Sequence, residues 1–522
     1  MKIVTRHAVA AAIALSFSFA TAQAVWGSPK PSPSSSPSPN ASASAEALPT
    51  ATPEPPSIAI PELEAKIKQD PDDKDSLTEL ASYYLGEQKP DQALALTQRL
   101  LSLGVKTAQV YFLDGAANEA LGRIREATDD FEQATNLEPT NAQILLTLTN
   151  LYIQTGRAPD AERVAKRAAT FNPNDKQVLE NYGLVLGQEG KFDEARTQFE
   201  SAAKLDPKDP LPVVLEARSY VSQKALALAG QEFDRALTID PQDPDALLGK
   251  ANILAVGHDV TGSVAAYEQL LAVETTNEAK AAVLVQEYTV YRDEKMNDNA
   301  LATLKRAEQA YPNVPAVHVA FGDYDASIGK NVSAAQSEWQ QGLGPQRDNP
   351  DALQRLGALA LQQGRRTDAL GYFKRLSEVL PNDPGVWNGL AVVEAQDNEL
   401  ADARDAYRHS FELARTPQSL AGIGSVDLQM RNYRECTEVF TAIDHAAPDF
   451  MRQYPQLLYM YGKCALANGD RNDARSAYLR FKSYVKPGSQ LALEVDKTLS
   501  SLNGNASSKP APKPKSTAKP RE

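Results

Sequence analysis

The chain has 522 residues, 42% hydrophobic and 23% charged, with 54 basic against 67 acidic side chains and a formal net charge of −13. Two cysteines are too few for a disulfide framework, so stability must come from stacked apolar faces. The acidic balance argues against nucleic acid as a partner.

Taken in chain order, residues 1–24 place Lys2, Arg6 and His7 before an apolar run from Ala8 to Ala20 and the small-residue triplet Ala22-Gln23-Ala24. That order predicts a secretory signal cleaved after Ala24, because the run is shorter than the ~20 apolar residues that span a bilayer. Export to the periplasm, the envelope or the exterior follows as the expected localisation. Residues 25–57 are rich in Pro, Ser, Ala and Thr. With so little apolar mass they are expected to form a disordered spacer.

From there to residue 502 the sequence is periodic. A small residue recurs at Ala93, Ala127, Ala161, Ala195, Ala229, Ser263, Ala300, Ala335, Ala369, Ala403, Cys436 and Ala474, the first five intervals being 34 residues and the rest 33 to 38. A period of this length predicts a helical solenoid. The unit is written most fully between Asp175 and Pro207: Tyr182-Gly183 in one helix, Gly190 at the turn, Ala195 and Phe199 in the next helix, then Ala202 and Pro207. Gly115, Gly183, Gly322, Gly357, Gly424 and Gly462 share one register, read as a close approach to the small residue of the second helix. Gly122, Gly156, Gly190, Gly329, Gly364 and Gly469 fall seven residues later, where a positive φ is expected. Pro139, Pro173, Pro207, Pro241 and Pro381 stop the second helices.

This pattern resembles the tetratricopeptide repeat, as written in exported bacterial proteins. The resemblance implies an all-α fold, a right-handed α-solenoid of about twelve helix-turn-helix repeats over residues 58–502 with a C-terminal capping helix. Ile58 to Gln69 reads as a helical lead-in, and Ser489 to Leu502 as the cap, with Leu491, Leu493, Val495, Leu499 and Leu502 as its apolar side chains. The uneven spacing around Ser263 and the loss of the closing proline at Thr275 predict a joint near residues 274–278. Cys436 and Cys464 read as packing residues on adjacent hairpins, and whether they are bridged is left open. Residues 503–522 form a basic tail with Lys509, Lys513, Lys515, Lys519 and Arg521, expected to be disordered. The tail could make weak contact with an anionic envelope polymer or membrane surface.

No enzyme is expected. The four histidines after the leader, His258, His318, His409 and His445, fall in different repeats, and no nucleophile elbow, phosphate loop or metal-ligand spacing occurs. His318 holds the bulky first-helix position that Trp387 fills elsewhere, which reads as packing. No cofactor and no metal are expected. In the tetratricopeptide family the first helix of each hairpin lines a concave groove at its second, fifth, ninth, twelfth and thirteenth positions. Carried onto this chain, the resemblance implies a peptide-binding groove of Leu146, Asn150, Ile153, Glu180, Leu184, Val214, Arg218, Leu248, Asn252, Val285, Thr289 and Arg292. Leu146 and Leu248 stand where the family's carboxylate clamp needs lysine, so an extended peptide or helix suits the groove better. The expected function is therefore an exported scaffold for envelope, polysaccharide-export, secretion or pilus assembly. Its alternatives are a surface or matrix protein held by the basic tail and an accessory subunit of an envelope enzyme.

Overall fold

The computed structural model describes residues 56–504, so the leader and most of the spacer and of the basic tail lie outside the described residues. There are 27 helices and no strand among the described residues, and no described helix is long and apolar enough to cross a membrane. Two compact units divide at Thr303 and Leu304.

The first unit opens with α1 (Pro56–Gln69) and continues through α2 (Lys74–Gly86), α3 (Pro90–Ser102), α4 (Ala108–Ala120), α5 (Ile124–Leu137), α6 (Ala142–Gln154) and α7 (Ala158–Phe171). It goes on with α8 (Lys176–Gln188), α9 (Phe192–Leu205), α10 (Leu211–Ser222), α11 (Leu226–Ile239), α12 (Pro244–Val256), α13 (Val260–Val273) and α14 (Asn277–Asp293). The division falls within α15 (Asn297–Ala310). The second unit holds α16 (Pro315–Ser327), α17 (Val332–Gln341), α18 (Pro350–Gln362), α19 (Arg366–Val379), α20 (Pro384–Gln396), α21 (Leu400–Leu413), α22 (Pro417–Met430) and α23 (Tyr433–Ala446). It ends with α24 (Pro448–Gln453), α25 (Gln456–Asn468), α26 (Arg471–Tyr484) and α27 (Gln490–Gly504). Every residue of the small-residue series lies in the second helix of a hairpin and is at most 1% exposed.

Local chemistry starts and stops these helices. Asp73, Thr107, Asn141, Asp175, Asp243, Asn349 and Thr416 each accept a backbone N–H of the first turn they precede, satisfying one of its orphan donors. The second helices end two residues before Pro139, Pro173, Pro207, Pro241 and Pro381. Inside each hairpin the chain turns through one left-handed residue. Gly122, Gly156, Gly190, Gly364 and Gly469 take that conformation, but Gly329 does not, because an extra residue moves it to Lys330 at φ 52°.

The first-helix glycines also need a correction. At Gly115, Gly183, Gly357, Gly424 and Gly462 a Cβ would collide with the aromatic ring sixteen residues later, not with the small residue. Phe373 shows why: a Cβ on Gly357 would lie 2.9 Å from its ring, and one on Gly389, in the next hairpin, 2.8 Å from the other edge. The ring is thus pressed between two first helices. Burying such a side chain contributes roughly 2–3 kcal/mol, which depends on the missing methyls.

Insertions are absorbed locally. The 37-residue interval after Ser263 lengthens α14 to 17 residues, and Thr276 caps it, so residues 274–278 form a short loop and a helix start. The 38-residue interval after Cys436 is taken up by the six-residue α24, an element the periodicity gave no sign of. Cys436 and Cys464, both fully buried, are joined as a disulfide with Cα atoms 5.8 Å apart, linking α23 to α25. α27 covers the last hairpin through Ala492, Val495 and Leu499, whereas Leu493 is 51% exposed and points away. Tyr459 donates to Glu494 at 2.7 Å, and Lys482 pairs with Asp496.

Candidate functional site

Within the first unit α2 touches α4, and α6, α8, α10 and α12 touch in turn, so first helices of successive hairpins pack side by side. The side chains implied as groove-lining divide into three groups along these helices. Asn150, Leu184 and Arg218 are exposed; Ile153, Leu248, Asn252, Val285, Thr289 and Arg292 are half-buried. Val214 at 0% and Leu146 at 7% exposure belong to the apolar core, packed against the neighbouring hairpin.

The polar members are mostly committed to bonds within the protein, two of them tying one repeat to the next. Asn150 accepts from Asn181 of the next hairpin at 2.8 Å, and Arg218 pairs with Asp245 of the next at 2.8 Å. Tyr267 donates to Asn252 at 2.6 Å, and Thr289 donates to the carbonyl of Val285. Arg292 pairs with Asp293 at 2.7 Å and lies over the Tyr288 ring. In the second unit the equivalent Asp323 takes two bonds from Arg355 and one from Trp339. What remains open to a ligand is therefore chiefly apolar, with Leu184 43% exposed at the ninth position of α8 and Leu211, the first residue of α10, 38% exposed.

Glu180 stands apart. Only 8% exposed, its Oε1 has no hydrogen-bond partner, and burial, ahead of the charges around it, pushes its carboxyl up to about 7. Lys176, one turn earlier, lowers it, but that ammonium is bound to Asp206 and Asp209. Glu119, at the twelfth position of the second hairpin, was missed by the sequence reading although the register marks it; burial raises its carboxyl as well. His318 packs as expected: Nε2 meets the carbonyl of Pro312 at 2.8 Å, as Trp387 Nε1 meets that of Pro381 at 2.7 Å, and Nδ1 faces Glu338. No group of three or more His, Cys, Asp or Glu side chains among the described residues is arranged to hold a metal ion.

The sequence profile of the tetratricopeptide repeat matches residues 119–180, 182–244 and 346–410. The chain is a tetratricopeptide repeat protein. Such repeats make protein-protein interaction scaffolds and bind protein or peptide partners. A curated relative, cellulose synthase operon protein C of Xanthomonas axonopodis pv. citri (strain 306), is 37% identical over 112 residues, which is 21% of this chain. The match spans 7% of that relative's length. Among solved structures, yeast Tom70 is 15% identical, with 83% of this chain and 96% of that chain covered at a TM-score of 0.34. YrrB, described as a tetratricopeptide protein with an unusual peptide-binding site, is 24% identical over 35% of this chain and 95% of its own, with a TM-score of 0.32. Pseudomonas aeruginosa pilF is 19% identical over 42% and 96%, with a TM-score of 0.32.

Proposed function

We propose that this tetratricopeptide repeat protein is a non-catalytic scaffold of the cell envelope that holds an extended peptide or helix along its row of first helices. The observation that carries this reading is the pair of exposed leucines, Leu184 and Leu211, on neighbouring first helices, with half-buried Leu248 and Val285 on the first helices that follow, among polar side chains already bonded within the protein. Apolar side chains among satisfied polar groups favour a ligand that buries alternate side chains. Export is supported by the charged, apolar and small-residue order of residues 1–24 and by the paired cysteines, which suit an oxidising compartment. A relative named cellulose synthase operon protein C supports placing the scaffold in polysaccharide export. Contact of the basic tail with an anionic envelope polymer belongs to the same reading.

The test is capture from an envelope fraction with the full chain, compared with the chain carrying Leu184→Asp and Leu248→Asp. Loss of the recovered partner with unchanged helical circular dichroism is the expected result. Equal recovery with both proteins would remove the groove from the account.

A further inference from the structure

The charge of the described chain is unevenly shared. Residues 56–303 carry 24 basic and 40 acidic side chains, a net of −16, while residues 304–504 carry 22 and 24, a net of −2. The first unit therefore holds nearly all of the excess negative charge, and its row of first helices contains carboxyls that the protein itself does not neutralise. Glu180 is more than nine-tenths buried with an oxygen lacking any partner, next to Asp175, Asp206 and Asp209, with Lys176 as the single cation among them. Lys176 is held by Asp206 and Asp209, and Asp175 accepts from the N–H of Val178 to cap α8. Glu119 has no ion-pair or hydrogen-bond partner for its carboxyl among the described residues. Leaving a buried carboxyl unpaired costs free energy that a ligand cation can return.

We propose that the groove of the first unit takes a cationic peptide, whose lysine or arginine side chain reaches Glu180 while flanking apolar side chains rest on Leu184 and Leu211. This rests on the reading of the first-helix row as the peptide site and adds the chemistry of its occupant. Glu119 supplies a second cation position two hairpins earlier. With first helices stepping about 10 Å per hairpin, the two carboxyls lie on the order of 20 Å apart along the row. An extended chain rises about 3.3 Å per residue, so the matching basic residues stand about six positions apart.

The probe is a fluorescein-labelled twelve-residue peptide of Ala, Leu and Pro with two lysines six positions apart, and its counterpart with norleucine in place of both lysines. Titrated with the full chain at low salt, the lysine peptide binds about tenfold tighter or more than the norleucine peptide, the equivalent of about 1.4 kcal/mol. Glu180→Gln removes most of that advantage and leaves the norleucine peptide unchanged, and Glu119→Gln removes part of it. Because the bound ammonium favours the ionised carboxyl, binding below pH 7 releases a proton from the wild-type chain and not from Glu180→Gln, seen as a dependence of the binding enthalpy on buffer ionisation. Equal binding of both peptides, still weakened by Leu184→Asp, would overturn the cation inference and keep the groove. Binding of neither peptide would overturn both.

Discussion

At the scale of the residue, the clearest contrast lies in one helix. Gly183 and Gly187 are both in α8, yet a Cβ on Gly183 would come within 3.0 Å of the Phe199 ring, and one on Gly187 would meet nothing within 4 Å. Phe199 is 2% exposed and has no room to retreat. Gly183→Ala should therefore lower stability by about 1–3 kcal/mol through overpacking. Gly187→Ala should raise it by up to about 1 kcal/mol, through helix propensity alone. Differential scanning calorimetry of the two variants checks this, and a Gly183→Ala protein as stable as the parent would mean that the ring is not wedged there. The register of these glycines was legible in the sequence, but their partner was not. Periodicity says which positions are small, whereas which atom fills the space depends on how far the ring four residues beyond the small position reaches. The same limit governed the groove: register located Leu146 and Val214 as readily as Leu184, and only the neighbouring hairpin decides which of them is covered.

At the scale of the element, the hairpin turn is the most regular feature. A left-handed residue stands five positions before each member of the small-residue series, at Gln88, Gly122, Gly156, Gly190, Lys224, His258, Lys295, Lys330, Gly364, Asn398, Arg431 and Gly469. In most turns the next backbone N–H bonds a carbonyl five residues back, as Lys191 does to Leu186 and Ala225 to Tyr220, closing the first helix in a Schellman arrangement. Glycine enters this conformation without penalty, while a side chain costs roughly 1–2 kcal/mol there. Part of that is offset because glycine leaves the unfolded chain freer. Lys224→Gly should therefore stabilise the first unit by some tenths to about 1 kcal/mol, and Gly190→Ala should destabilise it by about 1 kcal/mol. Urea midpoints of the two variants, moving in opposite directions, are the measurement; movement the same way would show that these turns carry no conformational strain. Twelve hairpins and both terminal helices were legible because each repeats or ends a pattern. The six-residue α24 and the three residues added to α14 were not, because insertions interrupt the period without naming the structure they form.

At the scale of the molecule, stability in a repeat protein is a sum of each repeat and its contacts with its neighbours, so charge and cross-links act where they are placed. The disulfide between Cys436 and Cys464 constrains the second unit alone. Excess charge concerns the first: a net of −16 over residues 56–303 makes its carboxylates repel one another, whereas −2 over residues 304–504 leaves little to repel. Surface ion pairs in the first unit, such as Arg99 with Asp72 and Lys250 with Asp234, are weakened by the same salt that relieves the repulsion, but each is exposed and worth little. The imbalance of sixteen charges should dominate. Raising ionic strength from about 0.02 M to about 0.5 M shortens the screening length from roughly 20 Å to roughly 4 Å, below the spacing of successive repeats. Amide hydrogen exchange should then slow in peptides from residues 56–303 and change little in peptides from residues 304–504. An equal response in both units would mean that the acidic residues of the first are already compensated locally. In that case Glu180 would be the exception in an otherwise neutralised unit, and the salt dependence of cationic peptide binding would report one carboxyl instead of the field of the whole unit.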